Sequence, residues 1–251
     1  MNHIILPEKT SGETGREYAY RVLYEAIMTL EFPPGMQLVD AELSEAFGTS
    51  RTPIREAIVS LKEAKLVDVH PQKSSSVSLI DLDAVEEGMF VRFNIETGIL
   101  KEAIKNADGA SITHLHNNLE EQKAALEAGQ LDRFMELDNL FHKQLYFSVN
   151  KPWTWATVMR MVTHQDRVRR LQVRLGAEHL WPSYEEHLRI FHLVMMREAC
   201  EDLSSFLHQH LTSGYYAALP ELISKYPDYF AIYLPAVLCN SYLLSCLIIA
   251  S

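Results

Sequence analysis

The 251-residue sequence contains little cysteine, lacks an apolar leader and carries an excess of negative charge. Its three cysteines, Cys200, Cys239 and Cys246, form neither a metal-type pair nor an even disulfide set, which favours a reducing cytoplasmic location. No apolar run follows a basic start at the N-terminus, so no signal peptide is expected. The net charge of −10 argues against a protein that coats nucleic acid without sequence preference.

The segment from Phe32 to Leu79 is the most informative part of the chain. Two short helical patterns flank a tight turn at 48–50, and a pair of strands is predicted at 66–70 and 76–80. Gly48 can adopt the left-handed conformation that a sharp turn between helices requires. This order of elements is typical of a winged helix-turn-helix, which places its second helix in the DNA major groove.

A further helix is predicted over 18–30, ahead of this segment, because apolar residues recur there at helical spacing. Pro33-Pro34-Gly35 is expected to end that helix. Asp40 stands where the N-cap of the following helix is expected. The predicted buried stripe of the first helix is Ala19, Val22, Leu23, Ala26, Ile27 and Leu30.

The start of the helix after the turn is the predicted DNA contact. Arg51, Thr52 and Arg55 are expected to face outward at a helix end whose free N–H groups favour phosphate. Arginine can bond a guanine edge through two parallel hydrogen bonds, so we expect Arg51 and Arg55 to carry recognition. Ser50 and Thr52 are expected to contact backbone phosphate, and Lys73 at the wing tip to reach a minor-groove phosphate. The alternative is a helix-turn-helix that serves packing alone.

The same residues resemble a known family. The runs PPG, AELSEAFG, SRTPIREA and LVDVHP are similar to the DNA-binding domain of GntR-type bacterial transcription regulators, over roughly 16–79. The chain departs from the family pattern at Ala41, where arginine is common, and at 74–76, where serines replace the glycine of the wing tip. The resemblance implies a homodimer that binds double-stranded, pseudo-palindromic operator DNA.

The rest of the chain is predicted to be helical, so the expected fold is mainly α: a winged helix-turn-helix at 13–80 and an antiparallel all-helical bundle at 81–226. Breaks such as Pro152, Gly176 and Pro182 separate the elements. The predicted helices of the bundle span 83–105, 108–128, 131–148, 153–175, 183–199 and 201–216.

Polar residues on the apolar faces of three of these helices predict a metal site. Asp138 and His142 lie four residues apart on one buried stripe, and His187 and His210 point inward from two later helices. A buried carboxylate and three buried imidazoles are costly without a partner, and this donor set suits zinc or nickel. The alternative is a group of core histidines that hydrogen-bond to Asp138 and water.

A second family resemblance covers this region. The runs VRFNIETGILKEA, LDNLFHKQLYFSVN, EEHLRIF and FLHQHL are similar to the effector domain of FadR-type GntR regulators, the FCD class. The resemblance implies a divalent metal on Asp138, His142, His187 and His210, with His208 as a competitor for the last position. It also implies a small organic-acid effector bound by Arg92, in a protein that is not an enzyme and is a repressor released by its ligand. Arg92 could instead be a surface residue paired with Glu96.

Three alternatives stay open. The metal can be purely structural, the metal can be the sensed species, or the site can serve a metal-dependent hydrolase. The segment from Tyr229 to Ser251 has no charged residue, and it is long enough to suggest a membrane span. Its proline, asparagine and serines disfavour that interpretation, so a membrane partner is not expected. We expect this 227–251 region to pack on a partner subunit or to be a non-native extension.

Overall fold

The computed structural model describes residues 6–70, 75–198 and 201–231. These residues form two compact units: the chain up to Leu82 together with 226–231, and Asp83–Lys225. Ten α-helices and five short strands lie within the described part of the chain. The predicted fold class, a mainly α protein with a winged helix-turn-helix and an all-helical second part, is confirmed.

Helix α1 of the first unit spans Gly15–Met28 and starts earlier than the predicted 18–30. It starts there because Thr14 forms a capping box with Glu17: the Glu17 N–H donates to the Thr14 hydroxyl, and the Thr14 N–H donates to the Glu17 carboxylate. Every residue of the predicted apolar stripe is buried. This stripe packs α1 on the helices that follow, so the predicted core of the unit is confirmed.

Two short helices, α2 (Asp40–Ala46) and α3 (Arg51–Glu63), form the helix-turn-helix. Gly48 has a φ of +57°, so the predicted left-handed turn is confirmed. The predicted N-cap at Asp40 is wrong, because Val39 occupies that position and Asp40 is already helical. The Asp40 carboxylate instead binds an arginine of α3.

The strands of the first unit form two small sheets. The predicted wing hairpin is present as β2 (Val67–Val69) and β3 (Ser75–Val77), and β1 (Gln37–Leu38) adds an unpredicted third strand in the antiparallel order β1-β3-β2. Strand β4 (Ile80–Asp81) pairs in parallel with β5 (Phe230–Ala231), which comes from the far end of the chain. The start of the uncharged C-terminal segment therefore belongs to a sheet, and 232–251 lie outside the described residues.

Seven helices form the second unit. They are α4 (Leu82–Asn106), α5 (Gly109–Glu127), α6 (Leu131–Ser148), α7 (Pro152–Met161), α8 (Thr163–Gln172), α9 (Trp181–Met196) and α10 (Leu203–Lys225). Their apolar stripes meet in one core that includes Phe134, Phe141 and Ile190. None of the helices in the described ranges is long and apolar enough to cross a membrane.

Two of the predicted helices of this unit have wrong bounds. The predicted helix 153–175 breaks at Val162, whose backbone leaves the helical region, so that α7 and α8 are separate helices; α7 buries Val158 alone, whereas most of α8 is buried. The helix predicted to stop at Tyr216 continues to Lys225 through Pro220. An internal proline costs about 3 kcal/mol, and the burial of Leu219 and Leu222 offsets that cost.

Candidate functional site

The outward end of α3 presents the predicted DNA contacts to solvent. Ser50, Arg51, Thr52 and Arg55 are all exposed. Ser50 is the N-cap residue, and its side chain makes no capping hydrogen bond with any described residue. The first N–H groups of α3 therefore remain available to an anion such as a phosphate.

One of these arginines already has a partner across the turn. The Arg55 Nε donates to the Asp40 Oδ2 at 2.6 Å, and the two side chains are 64% and 28% exposed. A solvent-exposed ion pair contributes little, so Arg55 can exchange Asp40 for a DNA group at low cost. Lys73, the predicted wing contact, lies outside the described residues.

Three histidines converge inside the second unit, one each from α6, α9 and α10. The Nε2 of His142 lies 3.3 Å from the Nε2 of His187 and 3.3 Å from the Nε2 of His210. All three ligand atoms lie within 4.8 Å of one another. The helical spacing that predicted inward histidines is therefore correct at these positions. His208 is exposed and packs edge-on against Phe93, so His210 and not His208 belongs to the cluster.

A chain of amide hydrogen bonds fixes the orientation of His187. The Asn118 Nδ2 donates to the backbone oxygen of Leu137, and the Gln122 Nε2 donates to the Asn118 Oδ1 at 2.7 Å. The Gln122 Oε1 therefore faces the His187 Nδ1 at 2.9 Å and can only accept a proton. This places the proton of His187 on Nδ1 and leaves a lone pair on Nε2.

Carboxylates face the Nδ1 atoms of the other two histidines. The His210 Nδ1 lies 2.8 Å from the Glu186 Oε2, and the His142 Nδ1 lies 2.9 Å from the Glu96 Oε2, although the latter contact is poorly aligned for a hydrogen bond. Glu96 also accepts from the Arg92 Nε at 2.6 Å. Burial is the largest single influence and would raise the pKa of Glu96, but the Arg92 charge and the contacts with Arg92 and His142 together outweigh burial and hold the pKa below its ordinary value.

The Nε2 atoms of the three histidines consequently face one another. Burial lowers the pKa of His142, and it lowers the pKa of His187 well below its ordinary value, so both rings are neutral. Neutral imidazoles whose Nδ1 protons are held by oxygens are the form that binds a metal ion. Three converging lone pairs repel one another unless a cation lies between them, so the residues fit a metal ion.

Asp138 lies beside the histidine cluster and also binds a second arginine, Arg169. The Asp138 Oδ1 is 3.7 Å from the His187 Nε2, whereas its Oδ2 accepts a hydrogen bond from Arg169. Arg169 also donates to Asp166 at 3.2 Å. Burial is the largest single influence and would raise the pKa of Asp138, but Arg169 together with the neighbouring histidines and Arg92 outweighs burial and lowers the pKa, so the carboxylate is ionised.

A small cleft opens next to the histidines and is lined by both arginines. Arg92 is buried, so the alternative of an arginine at the surface is wrong. Its expected partner, Glu96, is correct. Gln165 also lines the cleft, and its Oε1 has no hydrogen-bond partner among the described residues. Of the basic residues of the predicted 153–175 helix, Arg169 faces the cleft and Arg160 is exposed.

Glu96, Gln122 and Glu186 were absent from the sequence prediction of the site. A signal for Gln122 exists, since it continues the buried helical stripe of Leu115 and Leu119. A polar residue on such a stripe needs a partner, but the pattern does not say which helix supplies it.

Profiles of known families match both units. The profile for bacterial regulatory proteins of the gntR family matches residues 16–77, and the FCD domain profile matches residues 87–213. The HTH-type transcriptional repressor RspR of Escherichia coli K12 is 32% identical over 195 residues, covering 76% of this chain and 83% of that protein. A Streptomyces ambofaciens protein described as an HTH-type transcriptional regulator in an unstable DNA locus is 34% identical over 188 residues, covering 74% of this chain and 78% of its own.

Solved structures show the same fold at low sequence identity. Escherichia coli McbR/YncC superposes with a TM-score of 0.68 at 18% identity, over 85% of this chain and 99% of that one. A GntR-type putative regulator from Rhodococcus sp. RHA1 superposes with a TM-score of 0.65 at 19% identity, over 84% and 98% of the two chains.

Proposed function

This chain is a member of the GntR family of bacterial regulatory proteins with an FCD domain, and we propose that it binds pseudo-palindromic operator DNA as a homodimer in the cytoplasm. The exposed arginines at the start of α3 support this proposal. Two copies related by a two-fold axis would place two α3 helices in successive major grooves, with Arg51 and Arg55 toward the base edges. Ser50 and Thr52 would hold the adjacent phosphates.

The second part of the proposal is a divalent transition metal, zinc or nickel, in the histidine cluster. The observation that carries it is the convergence of three Nε2 atoms, with an oxygen within hydrogen-bond distance of the Nδ1 of both His187 and His210. Asp138 would complete the set, because its Oδ1 is the carboxylate oxygen beside His187. When bound, such an ion supplies positive charge and an open position for an anionic oxygen.

The third part is a small organic acid as effector. Arg92 and Arg169 line the cleft beside the histidines, and the free Oε1 of Gln165 offers an acceptor to a hydroxyl or a protonated group. Arginine forms paired hydrogen bonds with a carboxylate, and both guanidiniums are already out of bulk water. The chemistry of this cleft therefore favours a small carboxylate that also carries an oxygen donor.

Linkage couples effector binding to operator binding. An acid that binds one arrangement of the dimer more tightly than another shifts the population and changes operator affinity. RspR, the relative at 32% identity, carries the name of a repressor. We therefore propose repression that is relieved when the acid binds.

Operator binding is tested by selecting duplexes from a random pool with the full-length protein. We expect enrichment of an inverted repeat whose half-sites are about one helical turn apart. Binding that enriches no repeat would contradict the proposal for the first unit.

Effector binding is tested by a thermal-shift screen of the zinc-loaded and nickel-loaded protein against small mono-, di- and tricarboxylates. We expect a hit that is lost in Arg92→Ala and retained in Arg160→Ala, since Arg160 is exposed and lies outside the cleft. Arg92→Lys preserves the charge if Arg92→Ala does not fold. A hit unaffected by both Arg92 variants would contradict the effector assignment.

The competing functions are tested in the same preparation. Titration of metal without acid against the selected operator identifies a metal sensor if the metal alone releases DNA. Operator affinity that responds to the acid and stays constant with metal supports the proposal. Hydrolytic turnover of small esters or amides by the metal-loaded protein, lost in His187→Ala, would instead support an enzyme.

A further inference from the structure

Helix α3 carries an exposed valine in the middle of its solvent face. Val59 is 53% exposed, and its neighbours three and four residues away on the helix surface are all charged. Those neighbours are Arg55, Glu56, Lys62 and Glu63. Valine is also a weaker helix former than alanine, because its branched side chain is restricted by the preceding turn. Neither burial nor helix propensity therefore accounts for a valine at this position.

Exposed apolar surface in the first unit is concentrated on the recognition helix and the wing. Among the described residues of this unit, two large apolar side chains are exposed, Val59 on α3 and Val69 on the wing strand β2. The large apolar residues of α1 and α2 are all buried or half-buried. The two exposed valines thus lie on the elements that characterise a winged helix-turn-helix, and not at scattered positions.

Two contacts mark the borders of the free face of α3. On the side of α2, the Arg55 Nε donates to the Asp40 carboxylate. On the side of α1, the Arg16 Nη2 donates to the Ser60 hydroxyl at 3.0 Å. Val59 precedes Ser60 by one residue and follows Arg55 by four, so it lies between these borders and one turn beyond Arg55. Helices α1 and α2 consequently leave it open to a partner.

The spacing of the exposed residues fits a helix that lies in the major groove. Four exposed residues of α3 recur at offsets of zero, three, four and seven: Thr52, Arg55, Glu56 and Val59. A homeodomain contacts DNA through residues of its third helix at the same offsets. A side chain at the last of these offsets is therefore within reach of base edges when the helix occupies the groove.

An apolar side chain in the major groove has one kind of group to contact. Every base pair presents hydrogen-bond donors and acceptors there, which the side chain of valine cannot use. Thymine alone among the four bases adds an apolar group, its C5-methyl. Contact between this methyl and a valine removes apolar surface of both partners from water, which is favourable.

We propose that Val59 contacts the C5-methyl group of a thymine in each operator half-site and so helps to select the DNA sequence. The inference rests on the proposed function, because it requires α3 in the major groove of an operator. Val59 lies about 6 Å beyond Arg55 along the helix axis. Successive base pairs are about 3.4 Å apart, so this thymine should lie within about two base pairs of the guanine that Arg55 contacts.

The test removes single methyl groups from the DNA. In the operator selected by the full-length protein, each thymine of a half-site is replaced in turn by deoxyuridine, which lacks the C5-methyl and keeps every hydrogen-bonding group. Fluorescence anisotropy at fixed salt measures the dissociation constant of each duplex. For the wild-type protein, replacement at one position should weaken binding about fourfold, the change expected for one buried methyl group. Replacement in both half-sites should weaken binding about fifteenfold.

The matching change in the protein is Val59→Ala. Alanine is the better helix former and the position is exposed, so the variant should fold. It should bind the thymine and deoxyuridine operators with affinities within about 1.5-fold of each other, because both changes remove the same contact. Leu140→Ala on α6, where Leu140 is 40% exposed, is the matched control. It should keep both the wild-type affinity and the wild-type response to deoxyuridine.

A second modified base locates the contact along the operator. 7-Deazaguanine lacks the N7 acceptor that arginine uses when it forms two hydrogen bonds with guanine. The guanine whose replacement weakens binding of wild type but not of Arg55→Ala therefore marks the Arg55 contact. The thymine that responds to Val59 should lie within about two base pairs of this guanine. A responding thymine at the opposite end of the half-site would contradict the placement of Val59 in the groove.

The outcomes separate this inference from the proposed function. Equal deoxyuridine sensitivity in wild type and Val59→Ala would overturn the inference. So would the absence of any sensitive thymine in wild type, provided that Arg51→Ala and Arg55→Ala still weaken operator binding, and the proposed function would then stand. Failure to select any operator would overturn the proposed function, and the inference with it. Sensitivity to one methyl group that disappears in Val59→Ala and persists in Leu140→Ala supports both.

Discussion

The two units present charge in opposite ways. At the start of α3 the arginines are exposed, and the one with an internal partner, Arg55, is held by an ion pair that water already weakens. In the second unit Arg92 and Glu96 are buried as a pair, and Glu96 also lies 2.9 Å from the Nδ1 of His142. The exposed arginines of α3 can change conformation to fit a flexible partner, whereas the buried residues of the second unit are preorganised for a ligand. A substitution should therefore act locally in the first unit and through its neighbours in the second.

The largest expected effect is the loss of a central histidine. His187→Ala removes one of three converging lone pairs and should weaken zinc or nickel binding more than about 100-fold, since the loss of an outer partner alone costs about 10–100-fold. Isothermal titration against a competing chelator measures this affinity. Operator affinity without effector should stay within about threefold of wild type, because α3 is untouched. A parallel loss of both affinities would contradict the separation of the two sites.

A smaller effect on metal affinity is expected at Gln122, which contacts His187. Gln122→Met preserves the side-chain volume but removes the acceptor that keeps the His187 proton on Nδ1. Metal affinity should fall about 10–100-fold while the metal-free protein keeps its helical content. Glu121→Met, an exposed neighbour on the same helix, is the control and should leave the affinity unchanged. Wild-type affinity in Gln122→Met would show that the amide chain does not orient the ligand.

The exposed site should respond in a simpler way. Arg51→Ala and Arg55→Ala should each cost about 1–3 kcal/mol of operator binding if the guanidiniums contact bases. Asp40→Asn removes the partner of Arg55 and should change operator affinity by less than about 1 kcal/mol, because the pair is exposed. Fluorescence anisotropy at fixed salt measures all three. Near wild-type binding in both arginine variants would rule out α3 as the recognition helix.

The smallest effect concerns stability alone. Thr14→Ala removes the capping box of α1 and should lower the free energy of unfolding by about 1 kcal/mol. Denaturant unfolding followed by circular dichroism measures the change. The metal affinity of this variant should equal that of wild type, since the cap lies in the other unit. A change in metal affinity would contradict independent action of the two units.

Periodic patterns predicted most of the elements. The bounds of α6 and the buried stripe of α1 agree with the structure, because each depends on apolar residues at helical spacing within one segment. The inward direction of His187 follows from the same spacing. Failures occur where distant packing overrides local preference, as at Val162, where α7 ends, and at Pro220, which α10 passes.

The outer partners of the histidines could not be predicted for a related reason. Gln122 lies 65 residues from His187 in sequence, and the two meet only because α5 and α9 pack together. Periodicity places each residue on a face of its own helix, but it does not state which faces meet. Asp40 shows the same limit at short range, since its position fits a helix cap but its carboxylate binds Arg55.

Three imidazoles, those of His142, His187 and His210, are proposed to hold one cation in the second unit. The most direct measurement is the metal content of protein that is stripped with chelator, reloaded with zinc or nickel and passed through a desalting column, in wild type, His208→Ala and His210→Ala. We predict one tightly held ion per chain in wild type and His208→Ala, and loss of that ion in His210→Ala. No retained ion in wild type, or one retained equally in both variants, would contradict the account.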